Sequence, residues 1–361
     1  MSPNATDKAT AIAAAEPLTV SRKADHIRIN LEEDVSAKGV DPGFDDLRFV
    51  HCALPEIDLR DVRLASTFLG HELGAPLLIS SMTGGTEQAA RINERLAAAA
   101  QKRGLAMGLG SCRVLLEQPD VLPTFDVRPV APDIVLLANL GAVQLNLGVG
   151  ADDCRRLVRL LRADALVLHL NPLQEALQPE GDTQFANLVP RIAEVCSALD
   201  APVIVKEVGW GISADLVAAL LNAGVAAVDV AGAGGTSWSE VERHRMGDPL
   251  RAKVAASFAG WGIPTAQAIA QARQVAPEAT LVASGGVRSG MDIAKAIALG
   301  ANLAGVAGPL LRSAAVGERA LSDTIDVMLE ELRLCMFCVG AASIEQLRGT
   351  SRLERVGVVG S

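Results

Sequence analysis

The sequence contains no tyrosine, and aromatic residues make up only 3% of its 361 positions. The core must therefore be built from alanine, valine, leucine and isoleucine, and hydrophobic residues reach 50% of the chain, enough for one large core. An excess of basic residues is also lacking, since the formal net charge is −9. This balance argues against nucleic-acid binding, although a few Arg and Lys side chains can still attract a small anion locally.

Cysteine is scarce and scattered. Six Cys residues occur, and only Cys335 and Cys338 lie close together in the sequence. Without a second pair, these two are interpreted as packed thiols, and sparse cysteine is typical of a reduced cytoplasmic protein. No apolar run approaches the roughly 18 residues of a membrane span, and residues 1–20 lack the organisation of a signal peptide. We predict a soluble cytoplasmic protein with no membrane partner, in which residues 1–20 form a disordered tail.

The chain does contain a repeated unit of an apolar helix, a glycine and a short strand rich in Val, Leu and Ala. Gly104, Gly224 and Gly300 each stand where a helix would end in a left-handed residue. The strands are continuous apolar runs, which predicts a parallel sheet buried on both faces. Eight strands are predicted, at Leu77–Ser81, Leu105–Gly108, Ile134–Ala138, Ala165–Leu170, Val203–Lys206, Val225–Val230, Thr280–Ser284 and Leu303–Val306.

Eight strands alternating with helices predict an α/β fold, a single parallel (β/α)8 TIM barrel, with an open doubly wound sheet as the alternative. Two segments fall outside the repeat. Residues 21–74 form an N-terminal extension with the basic residues Arg22, Lys23 and His26, and residues 231–262 form a long loop after strand six. Loops of this length are usually lids or binding elements. The basic residues could close over a diphosphate, or they could form an ordinary solvated stretch.

The last two strand-to-helix turns are rich in glycine. The first turn contains Gly286 and Arg288 in "GGVRSG", and the second contains Ala307 and Gly308 in "AGPLL". Glycines let the backbone approach an anion, and the helix N-termini offer free N–H groups. Because the phosphate site of such barrels lies at these two turns, the pair predicts a phosphate-binding site. The alternative is that the glycines only form tight turns.

Lys206 stands at the end of an apolar strand, where an unpaired ammonium would be costly to bury. We interpret it as a group that stabilises negative charge on a bound cofactor. The alternative is a structural ion pair with Glu207 or Glu175.

Strand four ends in the polar cluster His169, Asn171, Gln174 and Glu175. A histidine and two amides more often satisfy a core than catalyse a reaction. Their position at a strand end of a barrel favours function instead.

These motifs occur in a recognisable order: "RKADHI", "SSMTGGT", "GLGS", "ANLGA", "LHLNPLQE", "VKEVGWG", "DVAGAGGTSW", "SGGVRSG" and "AGPLL". The string resembles the type 2, FMN-dependent isopentenyl-diphosphate isomerases over residues 21–355. "HLNPLQE" with an upstream "RKxxH" is specific to that family, whereas the glycine-rich turns are shared with other FMN-binding barrels. The chain departs from the family pattern at Cys112, where a Gln is common, and at Ala231, where a Ser is common.

The resemblance implies a role for each candidate residue. Residues 21–74 would be a substrate-binding extension and residues 75–361 an FMN-binding barrel. FMN would meet Met82, Thr83, Ser111, Asn139, Lys206 and Thr236, and its phosphate would meet Gly286, Arg288, Ala307 and Gly308. The isoprenoid diphosphate would meet Arg22, Lys23, His26, Ser111, Arg113, His169, Asn171 and Gln174. The catalytic set would be Gln174, Lys206, His169 and Glu175, with Glu175 also holding Mg2+.

The implied reaction interconverts isopentenyl and dimethylallyl diphosphate by a 1,3-allylic proton shift in isoprenoid biosynthesis. Reduced FMN would handle the proton, NADPH would serve only as reductant, and the chain would form a homo-oligomer, a tetramer or octamer. Two alternatives stay open. One is an FMN-dependent 2-hydroxy-acid oxidase or dehydrogenase, which would need a His base in a late loop, whereas His244 stands far downstream of "AGAGGTSW". The other is a non-catalytic flavin-binding protein, against which the intact cluster around Gln174 argues.

Overall fold

The computed structural model describes residues 22–356, so the predicted disordered tail at residues 1–20 lies outside the described residues. Its strands are β1 (Leu47–Phe49), β2 (Ser66–Phe68), β3 (His71–Leu73), β4 (Leu77–Ile79), β5 (Ala106–Gly108), β6 (Leu136–Gly141), β7 (Ala165–Leu170), β8 (Val203–Glu207), β9 (Ala227–Asp229), β10 (Thr280–Ser284), β11 (Leu303–Val306) and β12 (Leu353–Arg355).

Helices alternate with these strands. They are α1 (22–32), α2 (Glu87–Arg103), α3 (Val114–Glu117), α4 (Ala151–Leu161), α5 (Pro172–Leu177), α6 (Leu188–Ala198), α7 (Ala214–Asn222), α8 (Trp238–Arg245), α9 (Pro249–Ala256), α10 (Thr265–Val275), α11 (Gly290–Ala298), α12 (Gly308–Val316), α13 (Glu318–Val339) and α14 (Ile344–Arg348). Within the described part of the chain, none is long and apolar enough to cross a membrane.

Strands β4 to β11 form one closed barrel, and every pair of neighbouring strands in it is parallel. This confirms the predicted (β/α)8 barrel, and the open doubly wound alternative is wrong. All eight predicted barrel strands are present, with ends that differ by a few residues. Gly104 ends α2 in the left-handed conformation, with φ of 62°, as the sequence predicts.

Side chains alternate along each barrel strand, and this alternation builds both the core and the site. Outward side chains pack against the surrounding helices in one large apolar cluster. Inward side chains form a second cluster, to which each barrel strand contributes: Leu78, Ala106, Leu137, Val167, Ile204, Ala227, Val282 and Leu303. Two residues further along each strand, the inward positions are polar or glycine: Ser80, Gly108, Asn139, His169, Lys206, Asp229, Ser284 and Gly305. The barrel is therefore apolar inside, with a polar layer at the carboxyl ends of its strands.

The N-terminal extension contacts both ends of the barrel. Strands β2 and β3 pair as an antiparallel hairpin, whose Phe68 and Leu73 join the apolar cluster inside the barrel and close its lower end. At the other end, Ile29 on α1 packs with Val241 and Trp238 of α8. Helix α1 therefore packs beside the carboxyl ends of the barrel strands. Between these two parts, β1 pairs antiparallel with β12 outside the barrel.

The segment predicted as a long loop after the sixth barrel strand contains two helices, α8 and α9. Helix α8 packs against α5 and α9. The charge pattern of α8 favours a helix over the predicted loop, because Glu240 pairs with Arg243 and Glu242 with Arg245 at i,i+3 spacing. These pairs hold one wall of the mouth of the barrel.

Candidate active site

A cavity of about 470 Å³ lies at the carboxyl ends of the barrel strands. This volume is within the range of small-molecule and cofactor sites. All of the predicted site residues line it: Arg22, Lys23, His26, Met82, Thr83, Ser111, Arg113, Asn139, His169, Asn171, Gln174, Glu175, Lys206, Thr236, Gly286, Arg288, Ala307 and Gly308. The fold brings them together from helix α1 and from the strand ends around the barrel. Their individual roles stay predictions.

Helix α5 holds the amide and carboxylate cluster in one orientation. Asn171 Nδ2 donates to Gln174 Oε1 at 3.1 Å and to Glu175 Oε1 at 2.8 Å. The second carboxylate oxygen, Glu175 Oε2, accepts from the Asp182 backbone N–H at 2.8 Å. Burial raises the pKa of the Glu175 carboxyl, and these two hydrogen bonds oppose the rise. Asn171 Oδ1 is buried and has no hydrogen-bond partner among the described residues.

Behind this cluster lies Glu242, which the sequence analysis did not identify. Its carboxylate is only 1% exposed. Oε1 accepts from His26 Nε2 and Gln174 Nε2, both at 3.1 Å, and Oε2 accepts from Arg245 at 2.6 Å. Burial alone would raise the pKa of this carboxyl, but the bonds and charges of His26, Gln174 and Arg245 hold it below its usual value. Glu242 therefore joins helix α1 to the barrel cluster as a buried anion.

His169 is held by Asn139. Asn139 Nδ2 donates to the Leu109 carbonyl at 3.0 Å, so its Oδ1 accepts from His169 Nδ1 at 2.7 Å. Burial, assisted by the nearby Lys206 ammonium, lowers the pKa of His169 to about 4. The ring is therefore neutral at physiological pH, with its proton on Nδ1 and an unprotonated Nε2. Gly141 lacks a side chain where a Cβ would come within 3.3 Å of that Nε2.

Lys206 lies at the cavity floor with 11% of its side chain exposed. Its Nζ donates to the Glu207 carbonyl at 2.6 Å and lies 3.9 Å from Asp229 Oδ2. Lys206 therefore does form a structural ion pair, but with Asp229 rather than with Glu207 or Glu175, the two partners considered from the sequence. The Glu207 carboxylate instead accepts from the backbone N–H groups of residues 208–210, at 2.5–2.7 Å. Burial raises the pKa of this carboxyl to about 7.

Three cationic side chains gather on one side of the cavity. Lys23 lies over the Phe125 ring, 5.2 Å from its centroid, and burial lowers the pKa of the Lys23 ammonium to about 8. Arg113 donates to Asp182 at 3.0 Å, and Arg22 donates to the Gln178 side chain at 3.1 Å. Their charges favour an anionic group between α1 and the second strand-to-helix turn of the barrel.

The two glycine-rich turns form a second anion-binding corner. Gly286 has φ of 69°, and a Cβ at Gly235 would lie only 2.4 Å from the Gly286 nitrogen. The turns lead into α11 and α12, whose N-termini each carry the positive end of a helix dipole. In α11 the Gly290 N–H already donates to Glu331 at 2.6 Å, whereas α12 has no side-chain cap. Ser289 caps α11 by accepting from the Asp292 N–H at 3.1 Å. Arg288 is half exposed beside this corner, and its guanidinium lies 3.7 Å from Asp45 and 3.8 Å from Asp292.

His244 does not line the cavity. It lies on α8, 3.9 Å from Glu33. The turn after β9 brings Thr236 to the cavity wall but carries no histidine from residue 231 to 237. The arrangement therefore lacks the late-loop base that a 2-hydroxy-acid oxidase would need.

None of the cysteines lines the cavity. The six cysteines are unpaired. Among residues 22–356, no group of three or more His, Cys, Asp or Glu side chains is arranged to hold a metal ion. Cys112, one of the departures from the family pattern, is buried and donates to the Gly110 carbonyl at 3.1 Å.

Comparison with known proteins identifies the family. The family model described as FMN-dependent dehydrogenase matches residues 170–354. An isopentenyl-diphosphate delta-isomerase from a Synechococcus species is 57% identical and covers 93% of this chain and 96% of that protein. The protein of the same name from a Nostoc species is 53% identical, covering 94% of this chain and 97% of that protein. The one from Rickettsia felis is 51% identical over 91% of this chain and 95% of that protein.

Solved structures show the same fold at much lower sequence identity. A flavocytochrome b2 variant with bound pyruvate has a TM-score of 0.66 at 17% identity, covering 95% of this chain and 87% of that one. A mandelate oxidase variant has a TM-score of 0.62 at 18% identity, covering 88% of this chain and 90% of that one. The chain therefore belongs to the isopentenyl-diphosphate delta-isomerase family, built on the barrel of the FMN-dependent dehydrogenases.

Proposed function

We propose that the protein interconverts isopentenyl diphosphate and dimethylallyl diphosphate by an allylic proton shift, as part of isoprenoid biosynthesis. The observation that carries this proposal is the connected set Asn171, Gln174, Glu242 and His26, which joins the strand-end cluster to helix α1 inside one cavity. The same cavity contains separate corners for two phosphate-bearing groups. In this proposal residues 21–74 remain the substrate-binding extension and residues 75–361 the FMN-binding barrel.

FMN fits the cavity on two observations. The positive φ of Gly286 and the close approach of Gly235 form a backbone cradle at the N-termini of α11 and α12, where the FMN phosphate would be held with Arg288. Lys206 would meet the ring system at the floor, since its ammonium faces the cavity. When bound and reduced, FMN supplies a group that transfers protons without net redox change. Lys206 would stabilise the negative charge of that reduced form.

Arg22, Lys23 and Arg113 would hold the substrate diphosphate in the other anion-binding corner. The orphaned Oδ1 of Asn171 and the Glu175 carboxylate are hard oxygen donors on the same helix end, which suits Mg2+ bound to the diphosphate. The bound cation would neutralise part of the diphosphate charge. Its remaining ligands would be diphosphate oxygens and water.

The reaction adds a proton to one carbon and removes one from a neighbouring position, so positive charge develops on the hydrocarbon. Such a transition state is stabilised by nearby negative charge in a site that excludes water. Gln174 faces the cavity, and Glu242 fixes its amide from behind. The neutral His169 offers its Nε2 as a hydrogen-bond acceptor rather than as a second cation. Gln174 would thus orient the substrate, and Glu242, which does not line the cavity, would act by fixing the Gln174 amide.

The finer features of the proposal follow the family resemblance. NADPH would reduce the flavin and take no further part in turnover. The protein would act in the cytoplasm as a homo-oligomer, a tetramer or octamer. No nucleic-acid or membrane partner is proposed, in keeping with the net charge of −9.

The test is an anaerobic assay of the purified protein with isopentenyl diphosphate, FMN, NADPH and Mg2+. Dimethylallyl diphosphate should form, and its formation should stop when FMN or the reductant is omitted. A parallel assay follows oxidation of lactate and mandelate by the FMN-loaded protein. Oxidation of either acid without isomerisation of the diphosphate would contradict the proposal and favour the oxidase alternative.

A further inference from the structure

Asp229 lies just beneath the floor of the cavity, next to Lys206. The two residues are direct partners in the pairing of β8 with β9, and His169 pairs with Lys206 in the same way on the other side. All three therefore belong to one layer of inward side chains. Lys206 and His169 line the cavity, whereas Asp229 is 1% exposed and does not.

The two carboxylate oxygens of Asp229 have different surroundings. Oδ1 accepts from the Ala231 N–H at 3.2 Å and from the Ser284 hydroxyl at 2.7 Å. Oδ2 is buried and has no hydrogen-bond partner among the described residues. Its cationic neighbour is Lys206 Nζ at 3.9 Å. Burial raises the pKa of the Asp229 carboxyl, while the Lys206 charge and the Ser284 bond oppose the rise.

A buried carboxylate oxygen without a partner is costly unless a nearby charge compensates it. The compensating charge here is the ammonium of Lys206, whose one hydrogen-bond acceptor among residues 22–356 is the Glu207 carbonyl. The ammonium thus has Asp229 on one side and the cavity on the other. With both groups ionised the pair is neutral, so the carboxylate reduces the positive potential at the cavity floor.

We propose that Asp229 is a positioning residue that holds the Lys206 ammonium at the cavity floor and sets how much positive charge a bound flavin meets. The inference rests on the proposed function in that FMN occupies the cavity. The inference goes beyond the proposed function because it assigns a role to Asp229, which does not line the cavity. Through Lys206, Asp229 would determine how strongly the site prefers reduced FMN, which is anionic, over oxidised FMN.

The test compares the dissociation constants of oxidised and reduced FMN, and the midpoint potential of bound FMN, in the wild type and in Asp229→Asn. The amide keeps the size of the carboxylate and removes its charge. The comparison is made at about pH 8, because burial raises the pKa of the Asp229 carboxyl and a higher pH favours its ionised form. The preference for reduced FMN should rise about tenfold and the potential should become more positive. Asp164→Asn is the control, because it removes a carboxylate from a partly buried pair with Arg128 away from the cavity and should leave the potential unchanged.

Asp229→Asn leaves Lys206 without a counter-charge and could fail to fold. The FMN affinities and the midpoint potential are then compared between Lys206→Met and the double variant Lys206→Met/Asp229→Asn. The double variant has no charged side chain at either position 206 or position 229. Lys206→Met should lower the preference for reduced FMN, and adding Asp229→Asn should restore part of it, because a buried negative charge is removed.

An unchanged potential in Asp229→Asn, or equal potentials in Lys206→Met and the double variant, would show a merely structural role and overturn the inference. The proposed function is judged separately, on the wild type. A wild-type protein that binds FMN and shows the predicted shift on Asp229→Asn, but does not isomerise the diphosphate, would contradict the proposed function and leave the inference standing. A wild-type protein that binds no FMN would overturn both.

Discussion

Glu242 offers the sharpest test of how the site is held together. Its two carboxylate oxygens accept hydrogen bonds from His26, Gln174 and Arg245, at 2.6–3.1 Å, in a buried position. Glu242→Gln keeps the shape of the side chain but offers one oxygen and one NH2 group in place of two oxygens. Whichever way the amide turns, its NH2 group faces at least one donor.

The expected loss of stability follows from this mismatch between facing hydrogen-bond donors. Leaving a buried donor unsatisfied costs about 1–3 kcal/mol, and the cost is toward the upper end here because Arg245 is charged. The free energy of unfolding should therefore fall by about 2–3 kcal/mol. Because Glu242 also fixes the Gln174 amide, a displacement of that amide by about 1 Å would lower turnover by about 10²-fold.

Glu240→Gln provides the matched control. Glu240 lies on the same helix, is equally buried, and accepts from Arg243 at the same i,i+3 spacing, but it does not bond to Gln174 or His26. Urea unfolding should show a loss of stability in both variants, and kcat for the isomerisation should fall only in Glu242→Gln. Equal turnover in Glu242→Gln and the wild type would refute the positioning role.

Three further predictions follow from other parts of the molecule. Arg128→Met removes a buried guanidinium that donates to the Ile134 and Arg162 carbonyls and to Asp164, so thermal unfolding should show a loss of about 2–4 kcal/mol with FMN affinity unchanged. Gln174→Ala should depress turnover far more than FMN affinity, and equal losses of both would contradict its proposed role. Because burial lowers the pKa of Lys23 from 10.5 to about 8, its ammonium is lost from the folded protein as pH rises through about 8. The affinity for inorganic pyrophosphate, measured by calorimetry, should fall over that range, and the free energy of unfolding should rise between about pH 8 and 10.5 as the penalty for the buried charge disappears. A pH-independent affinity would show that Lys23 does not contact the anion.

Much of the barrel could be predicted from the sequence because its signals are local. Continuous apolar strands, left-handed glycines such as Gly104 and the two glycine-rich turns are each encoded within a few residues. The resemblance then assigned roles to residues that the fold does bring into one cavity. The sequence predicts a loop at residues 231–262 because Gly and Ser surround a short polar stretch. The i,i+3 ion pairs of α8 and its packing against α5 and α9 stabilise helices there instead.

Glu242 and Asp229 could not be recognised in the same way, because their roles depend on contacts between distant segments. The partners of Glu242 come from α1 and α5. Asp229 follows Ala227 by two positions, so strict alternation along the strand could have placed it in the inward polar layer with Lys206. The alternation was obscured because outward positions of a parallel barrel are as apolar as inward ones.

The most direct test of the central claim, that the flavin serves proton transfer without net redox change, is a count of turnovers per reductant in deuterated water. The protein is reduced once with a single equivalent of NADPH per bound FMN, under anaerobic conditions with Mg2+ and isopentenyl diphosphate. We predict many molecules of dimethylallyl diphosphate per molecule of NADPH, each carrying deuterium taken from the solvent. Consumption of one NADPH for each product molecule, or a reaction that stops after one turnover, would contradict the account.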